Sequence, residues 1–296
     1  MAEKAEVFKL FKSLDEEQTQ IVELKKIEAA HTANAWLNLL GQVASLDKAG
    51  DKYRAYPNIT WQIIVCVIVI LISIFLAIGT GNPYILILTA IAIGIIVKLS
   101  LDQSKINKLD LSNHLRKVIM PLISILKEDI SRKSKIYLKA SFEKHDTAEY
   151  KVNEIPAGKK YPKIVESHFK IPRIQLKTTL VDSTQIQLDY SDLVRKKDIT
   201  KKNPRGKIKN KVKYKIKHLV LIKLYYSNGV YHKLENIDLP ADVIYTSKEQ
   251  SHCFKTKLSE VTTDKEHCLP TKKILAAIAR IYKCVQPIGK TTAGME

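Results

Sequence analysis

The spacing of apolar and polar positions changes character twice along this chain. An uncharged run from Trp61 to Ile78 (WQIIVCVIVILISIFLAI) is followed, after Gly79-Thr80-Gly81-Asn82-Pro83, by a second apolar run from Tyr84 to Val97. Two such runs joined by turn formers predict a helical hairpin that spans a membrane, with spans of about 61–78 and 84–101. The first holds thirteen Ile, Val, Leu or Phe residues, each favouring the bilayer centre by roughly 0.3–0.6 kcal/mol. The second is about 21 Å long as a helix, short of the roughly 30 Å of hydrocarbon. It reaches spanning length through Lys98 to Leu101, because a lysine near a helix end leaves its ammonium at the interface.

Ahead of the hairpin, Ser13-Leu14-Asp15-Glu16 has the arrangement of a capping box. It predicts a long helix from Ser13 to about Ala49, stopped by Gly50, with Ile21, Leu24, Ala35, Leu39, Val43 and Leu46 at helical spacing. Glu28 and His31 interrupt that stripe, and His31 reads as a half-exposed helix residue. Behind the hairpin nothing breaks the helical pattern between Ile95 and Met120, so the second span is expected to continue as a stalk kinked at Pro121. Leu111, Leu115, Val118, Leu122 and Ile125, flanked by Ile119, Ile123, Leu126 and Ile130, make an apolar face too wide for water. The helix from Ser13 to Ala49 is the nearest candidate to cover it, and a second copy of the chain is the alternative.

From Lys135 the period becomes twofold. Ile136 to Phe142, Ile174 to Leu180, Thr184 to Tyr190 and Lys209 to Tyr226 read as strands, with turns at Val181-Asp182-Ser183 and Ser227-Asn228-Gly229. Val230 to Leu234 would be the strand returning from the second turn. A last amphipathic helix is predicted over Thr271 to Cys284, and an unstructured tail after Pro287. The fold class expected is an α+β membrane protein. Residues 1–58 form a cytosolic helical region, 59–101 the transmembrane hairpin, 102–133 the cytosolic stalk, and 134–290 a small antiparallel β domain, sheet or barrel, closed by a helix.

Charge orients this layout. The loop between the spans has no Lys or Arg, whereas Lys48, Lys52 and Arg54 precede the hairpin and Lys98, Lys105, Lys108, Arg116 and Lys117 follow it. By the positive-inside tendency, the N- and C-termini both lie in the cytoplasm. Residues 135–296 hold 33 basic and 17 acidic side chains and supply most of the net charge of +19. Such a domain is drawn to phosphate-bearing surfaces, either anionic lipid headgroups or a nucleotide or nucleic acid. Four scattered cysteines, one of them Cys66 inside the first span, fit a reducing compartment and make no disulfide framework.

The most unusual local pattern is Lys207-Ile208-Lys209-Asn210-Lys211-Val212-Lys213-Tyr214-Lys215-Ile216-Lys217. In a strand its lysines fall on one face and Ile208, Val212, Tyr214 and Ile216 on the other. With Arg195, Lys196, Lys197, Lys201, Lys202 and Arg205 upstream, twelve basic groups stand against one acid, Asp198. These twelve are the candidate anion-binding residues. The competing reading is a charged strand that merely discourages edge-to-edge pairing, which one or two lysines accomplish. Few arginines and one tyrosine favour headgroups over nucleic-acid readout.

The pairs His252-Cys253 and His267-Cys268 form the Cys/His pattern of the chain. Adjacent pairs lack the spacing that lets a turn present two ligands to one ion, so no metal and no cofactor is expected. There is no phosphate-cradling glycine loop, no His-Glu-x-x-His and no Gly-x-Ser-x-Gly. Glu149-Tyr150-Lys151 matches the Glu-x-Lys element of some nucleases without a paired upstream acid, so a non-enzymatic protein is expected, with a membrane-tethered nuclease or hydrolase as an alternative. The layout of cytosolic helix, closely spaced hairpin and appended domain resembles that of two-span effectors in bacterial defence systems. That resemblance implies another alternative, an oligomer assembled through the stalk helices whose hairpins act as a pore gated by a small anionic signal.

Overall fold

The computed structural model describes residues 2–55, 58–158, 161–227, 229–234, 239–248 and 251–288. Asn228 of the expected Asn-Gly turn, and residues 289–296 of the expected tail, lie outside them. The chain divides into two compact units, one of Met1–Glu23 and Gln42–Asp110, the other of Leu24–Gly41 and Leu111–Glu296. Seven α-helices and a large antiparallel sheet make the fold α+β among the described residues.

The first unit holds α1 (Ala2–Lys12), α2 (Glu16–Leu24, whose last residue belongs to the other unit), the C-terminal part of α3 (Ala33–Ala55), α4 (Asn58–Thr80) and α5 (Leu86–Lys108). Ser13 does not start a helix. Its amide and hydroxyl both bond back to the end of α1, to Lys9 O and Leu10 O. The reciprocal cap is made two residues on, where Asp15 Oδ1 accepts the Gln18 amide at 2.8 Å and Gln18 Oε1 accepts the Asp15 amide at 3.1 Å. Trp61–Thr80 and α5 are long and apolar enough to cross a membrane. They form a hairpin turned at Gly81 (φ +69°), with Asn82 Oδ1 accepting the Tyr84 amide at 3.0 Å. Ser73 and Thr89 share a hydrogen bond across it at 2.6 Å, and Cys66 and Ala92 are buried.

The second unit corrects the expected continuous helix from Ser13 to Ala49. The chain leaves α2 through Lys25 in the left-handed region (φ +54°) and forms β1 (Lys26–Thr32) before entering α3, which runs through Gly50 without stopping. Seven register pairs with β2 (Lys135–Ser141) outweigh the helical spacing of Ile21, Leu24 and Ala35. Glu28, an interruption in a helix, suits an exposed strand face, where it accepts from Tyr137 and Lys139 at 2.6 Å. His31 packs edge-on against Trp36, whose indole N–H donates to Ile136 O at 2.8 Å.

The stalk is also corrected. α5 ends at Lys108, and after a loop the chain forms a wide π turn (Leu115–Ile119) leading into α6 (Met120–Leu126). Pro121 stands in the first turn of α6, where a missing amide is tolerated. The carbonyl it would have served, Lys117 O, accepts the Thr271 hydroxyl at 3.0 Å instead. Leu115, Val118, Ile119, Leu122 and Ile123 are fully buried within the chain. His114 meets Tyr190 of the sheet edge-on, and Asp129 O accepts the Val181 amide, so sheet and α7 (Thr271–Tyr282) cover this face. A second copy is not required for that.

The sheet is larger than the small domain expected. β4 (Lys163–Thr179), β5 (Gln185–Lys202) and β6 (Ile208–Ser227) are long neighbours in the order β1-β2-β4-β5-β6-β9-β8. β3 (Lys151–Ile155) pairs β4 beside β2, and β8 (Val243–Lys248) and β9 (Ser251–Thr262) complete the other edge. It is an open sheet with all pairings antiparallel. The turn at Val181-Asp182-Ser183 is as expected, with Ser183 at φ +66°. The strand after Gly229 is not β6's partner: β7 (Tyr231–Lys233) pairs β10 (Val285–Pro287) in a separate two-stranded ribbon. Along β5, Ile186, Leu188, Tyr190 and Val194 are buried while Gln187, Asp189, Ser191 and Leu193 are half-buried, so one face is covered and the other open.

Candidate functional site

Register places the basic residues on the open face. In β5–β6, Arg195 stands opposite Lys215, Lys197 opposite Lys213, Lys201 opposite Lys209, and Leu193 opposite Lys217. Directly opposed residues share a face. Lys209, Lys211, Lys213, Lys215 and Lys217 therefore form one exposed row, with Arg195, Lys197 and Lys201 beside it. Lys196 and Lys202 point to the other face, and Arg205 and Lys207 belong to the Asn203–Lys207 turn, which Gly206 (φ +80°) permits. Beneath the row, Phe169, Ile171, Val194 and Ile216 pack together with Tyr150 and Tyr214, which stiffens the base of the hairpin.

Neutralisation along this face is uneven. Glu166 takes Lys197 at 2.7 Å and Arg195 at 3.6 Å, and is held below the usual carboxylate range chiefly by the Lys197 hydrogen bond. Lys196 pairs with Asp146 at 3.3 Å on the covered side, where Tyr214 also donates to Asp146 at 2.8 Å. The five lysines of the row make no ion pair among the described residues. Farther along the open face, Lys139, Lys170, Lys177, Lys223, Lys255 and Lys257 stand against Glu28 and Asp189. The open face is thus basic well beyond the segment singled out by sequence.

On the covered face lies a group that the sequence reading missed. Asp192 of β5 is directly opposed to His218 of β6, and both are fully buried. His218 Nδ1 donates to Asp192 Oδ1 at 2.6 Å, and Arg173 Nε donates to Oδ2 at 2.6 Å. Arg173 is the extra residue of a β-bulge between Pro172 and Ile174, and alternation from Ile171 puts its side chain on this face. Its Nη1 donates to Glu143 O. His114 Nε2 lies 3.6 Å and His145 Nε2 3.5 Å from the same Oδ2, while His114 Nδ1 and Ser112 Oγ share a hydrogen bond at 2.6 Å. His267 packs 5.7 Å from the His218 ring.

Electrostatics here follow burial. Burial, reinforced by Arg173 and the other rings, pushes His114 down to about 3 against the pull of Asp192, so it is neutral at pH 7. Burial also opposes the Asp192 charge, but His114, His145, His218 and Arg173 outweigh it and hold the carboxyl well below its ordinary range. Burial raises the nearby Cys268 thiol to about 12, which leaves it protonated and unreactive.

The two His-Cys pairs do not meet. His252 and Cys253 begin β9, with His252 Nδ1 bonded to the Tyr245 hydroxyl at 2.7 Å, whereas His267 and Cys268 follow its far end. Nine residues of strand, Phe254–Thr262, roughly 30 Å, separate them. In the other unit Asp47, Asp51 and Asp110 cluster, but Arg54 already pairs with Asp51 and with Asp110, the latter at 2.7 Å. The signal for the buried group was present in the sequence: Asp192 and His218 are polar intrusions in the period-two apolar stripes Leu188-Tyr190-Val194 and Ile216-Val220-Ile222. No known family model, curated protein or solved structure matches the chain.

Proposed function

We propose that this chain is a non-enzymatic integral membrane protein, anchored by the α4–α5 hairpin with both ends in the cytoplasm, whose sheet domain binds anionic lipid headgroups through its open face. Exposed apolar side chains support the anchor: Leu71 is 63 %, Phe75 77 % and Ile78 78 % accessible, a surface that water does not stabilise on a folded protein. The lysine-free connection between two lysine-flanked helices supports the orientation.

The observation that carries the binding reading is the row Lys209, Lys211, Lys213, Lys215 and Lys217 on the open side of β6, which makes no ion pair among the described residues. Like charges two residues apart repel one another, so a row of five without acids is stabilised by an external anion. A flat, wide basic surface suits a lipid leaflet, where each lysine contributes about 1 kcal/mol.

The test uses the full chain reconstituted in neutral-lipid nanodiscs and measures capture of phosphatidylserine vesicles, with a single-stranded polynucleotide as a second arm. Wild type is expected to capture the vesicles, and the combined Lys209→Glu, Lys211→Glu and Lys213→Glu variant to lose capture. Unchanged capture by the variant overturns the reading, and binding confined to the polynucleotide replaces lipid with nucleic acid.

A further inference from the structure

The polar atoms around Asp192 are unusual in what they leave unmade. Among the described residues, His114 Nε2, His145 Nε2, His218 Nε2 and Arg173 Nη2 are buried atoms without a close hydrogen-bond partner, the first two lying 3.6 and 3.5 Å from Asp192 Oδ2. Buried polar atoms in folded proteins almost always have partners, so a cluster of such nitrogens marks a place where something else binds. An ionised carboxylate only accepts, so without an ion His218 Nδ1 donates to Asp192 Oδ1; Nδ1 is the ring nitrogen that faces the carboxylate, and an ion held between the two groups takes the place of that proton, which is released. The Ser112 hydroxyl shares a hydrogen bond with His114 Nδ1, which leaves that ring's Nε2 facing Asp192 Oδ2. Holding one ring nitrogen so that the other faces inward is how proteins orient imidazole ligands.

We propose that His114, Asp192 and His218, completed by His145, form a binding site for one divalent transition-metal ion of the zinc class. The first three each offer a ligand atom, and these atoms lie within 4.8 Å of one another. His114 Nε2 and His145 Nε2 stand 3.6 and 3.5 Å from Asp192 Oδ2. Ligands about 2.0–2.1 Å from a tetrahedral ion are separated by about 3.3 Å, so small side-chain shifts close the site. Three imidazoles and one carboxylate select borderline ions over magnesium or calcium, which need more oxygen ligands. Arg173 keeps one lone pair of Oδ2 and leaves the other free. His145, whose side chain is 12 % accessible, stands where an ion would enter. The site lies on the covered face and is independent of the lysine row.

The test takes untagged, full-length protein in mild detergent, strips it with chelator, and titrates it with zinc and with cobalt. The expected result is zinc uptake saturating at one ion per chain, and intense visible cobalt bands of tetrahedral geometry. His145→Ala, at the accessible edge, is expected to weaken uptake at least tenfold with circular dichroism unchanged, and His114→Gln to abolish it. His252→Ala, at the other end of β9, is expected to bind as wild type does. Absence of stoichiometric uptake by the wild-type protein overturns the proposal whatever the variants do. So does uptake that survives both His145→Ala and His114→Gln, or that is lost with His252→Ala.

Discussion

Asp192 and His218 stand directly opposite each other on β5 and β6, joined at 2.6 Å on the covered face of the sheet. The carboxylate is shared with Arg173 at the same distance. Removing Asp192 would strand a fully buried guanidinium, which typically costs about 3–5 kcal/mol, whereas replacing both charges with apolar groups is far less damaging. In metal-free protein, Asp192→Leu is therefore expected to lower the denaturation midpoint sharply. The double variant Asp192→Leu with Arg173→Met is expected to recover much of the loss, and a double variant no more stable than the single one would contradict this account.

Thr271 has a narrower task. Its hydroxyl serves the Lys117 carbonyl left open by Pro121. Thr271→Val keeps the shape and loses the donor, with an expected cost of about 1–3 kcal/mol. Thr271→Ser should stay close to wild type in the same thermal-denaturation series.

The lysine row should bind electrostatically and without fine geometry. Neutralising Lys209, Lys211 and Lys213 to Gln is expected to remove about 3 kcal/mol of attraction to an anionic leaflet, a weakening of more than about a hundredfold. The remaining binding should fall steeply as salt is raised, because exposed charges are screened over about 8 Å at physiological ionic strength. Vesicle co-flotation across a salt series measures both effects.

Alkaline pH should loosen the corner built on Asp182. Tyr231 and Tyr282 donate to its Oδ2 at 2.8 and 3.1 Å, and Tyr226 is buried against both rings. Burial, and then Asp182 itself, raises Tyr231 to about 12, and burial raises Tyr226 and Tyr282 as well, from an ordinary value of 10.0. Folded tyrosines that hold their protons longer contribute stability fully present below pH 10 and lost as pH rises through the folded values. Chemical-denaturation midpoints followed from pH 9 to pH 12 are expected to decline above pH 10, in step with phenolate absorbance. Tyr231→Phe should soften the decline.

Legibility differed from element to element for physical reasons. Helices α4 and α5 could be read directly, because their apolar runs need no partner to be recognised. The lysine row could be placed on one face because strand periodicity is local. The capping box was misplaced by two residues, since Ser13 had a competing use at the end of α1. β1 was hidden because Lys26–Thr32 forms a strand only when β2 is there to pair with it. Pro172 is a hint of the Arg173 bulge, since proline inside a sheet is confined to edges, strand starts and bulges, but His114 and His145 gain meaning only beside Asp192.

The sequence by itself determined two long apolar helices, a change to twofold period at Lys135, and the basic excess of the C-terminal region. These follow from properties that neighbouring residues along the chain share. Only the tertiary structure decided that one sheet face is open and basic while the other closes over Asp192. Cross-strand register, a bulge and helix docking bring together residues 114, 145, 173, 192 and 218, and no local pattern encodes a meeting of groups so far apart in the chain.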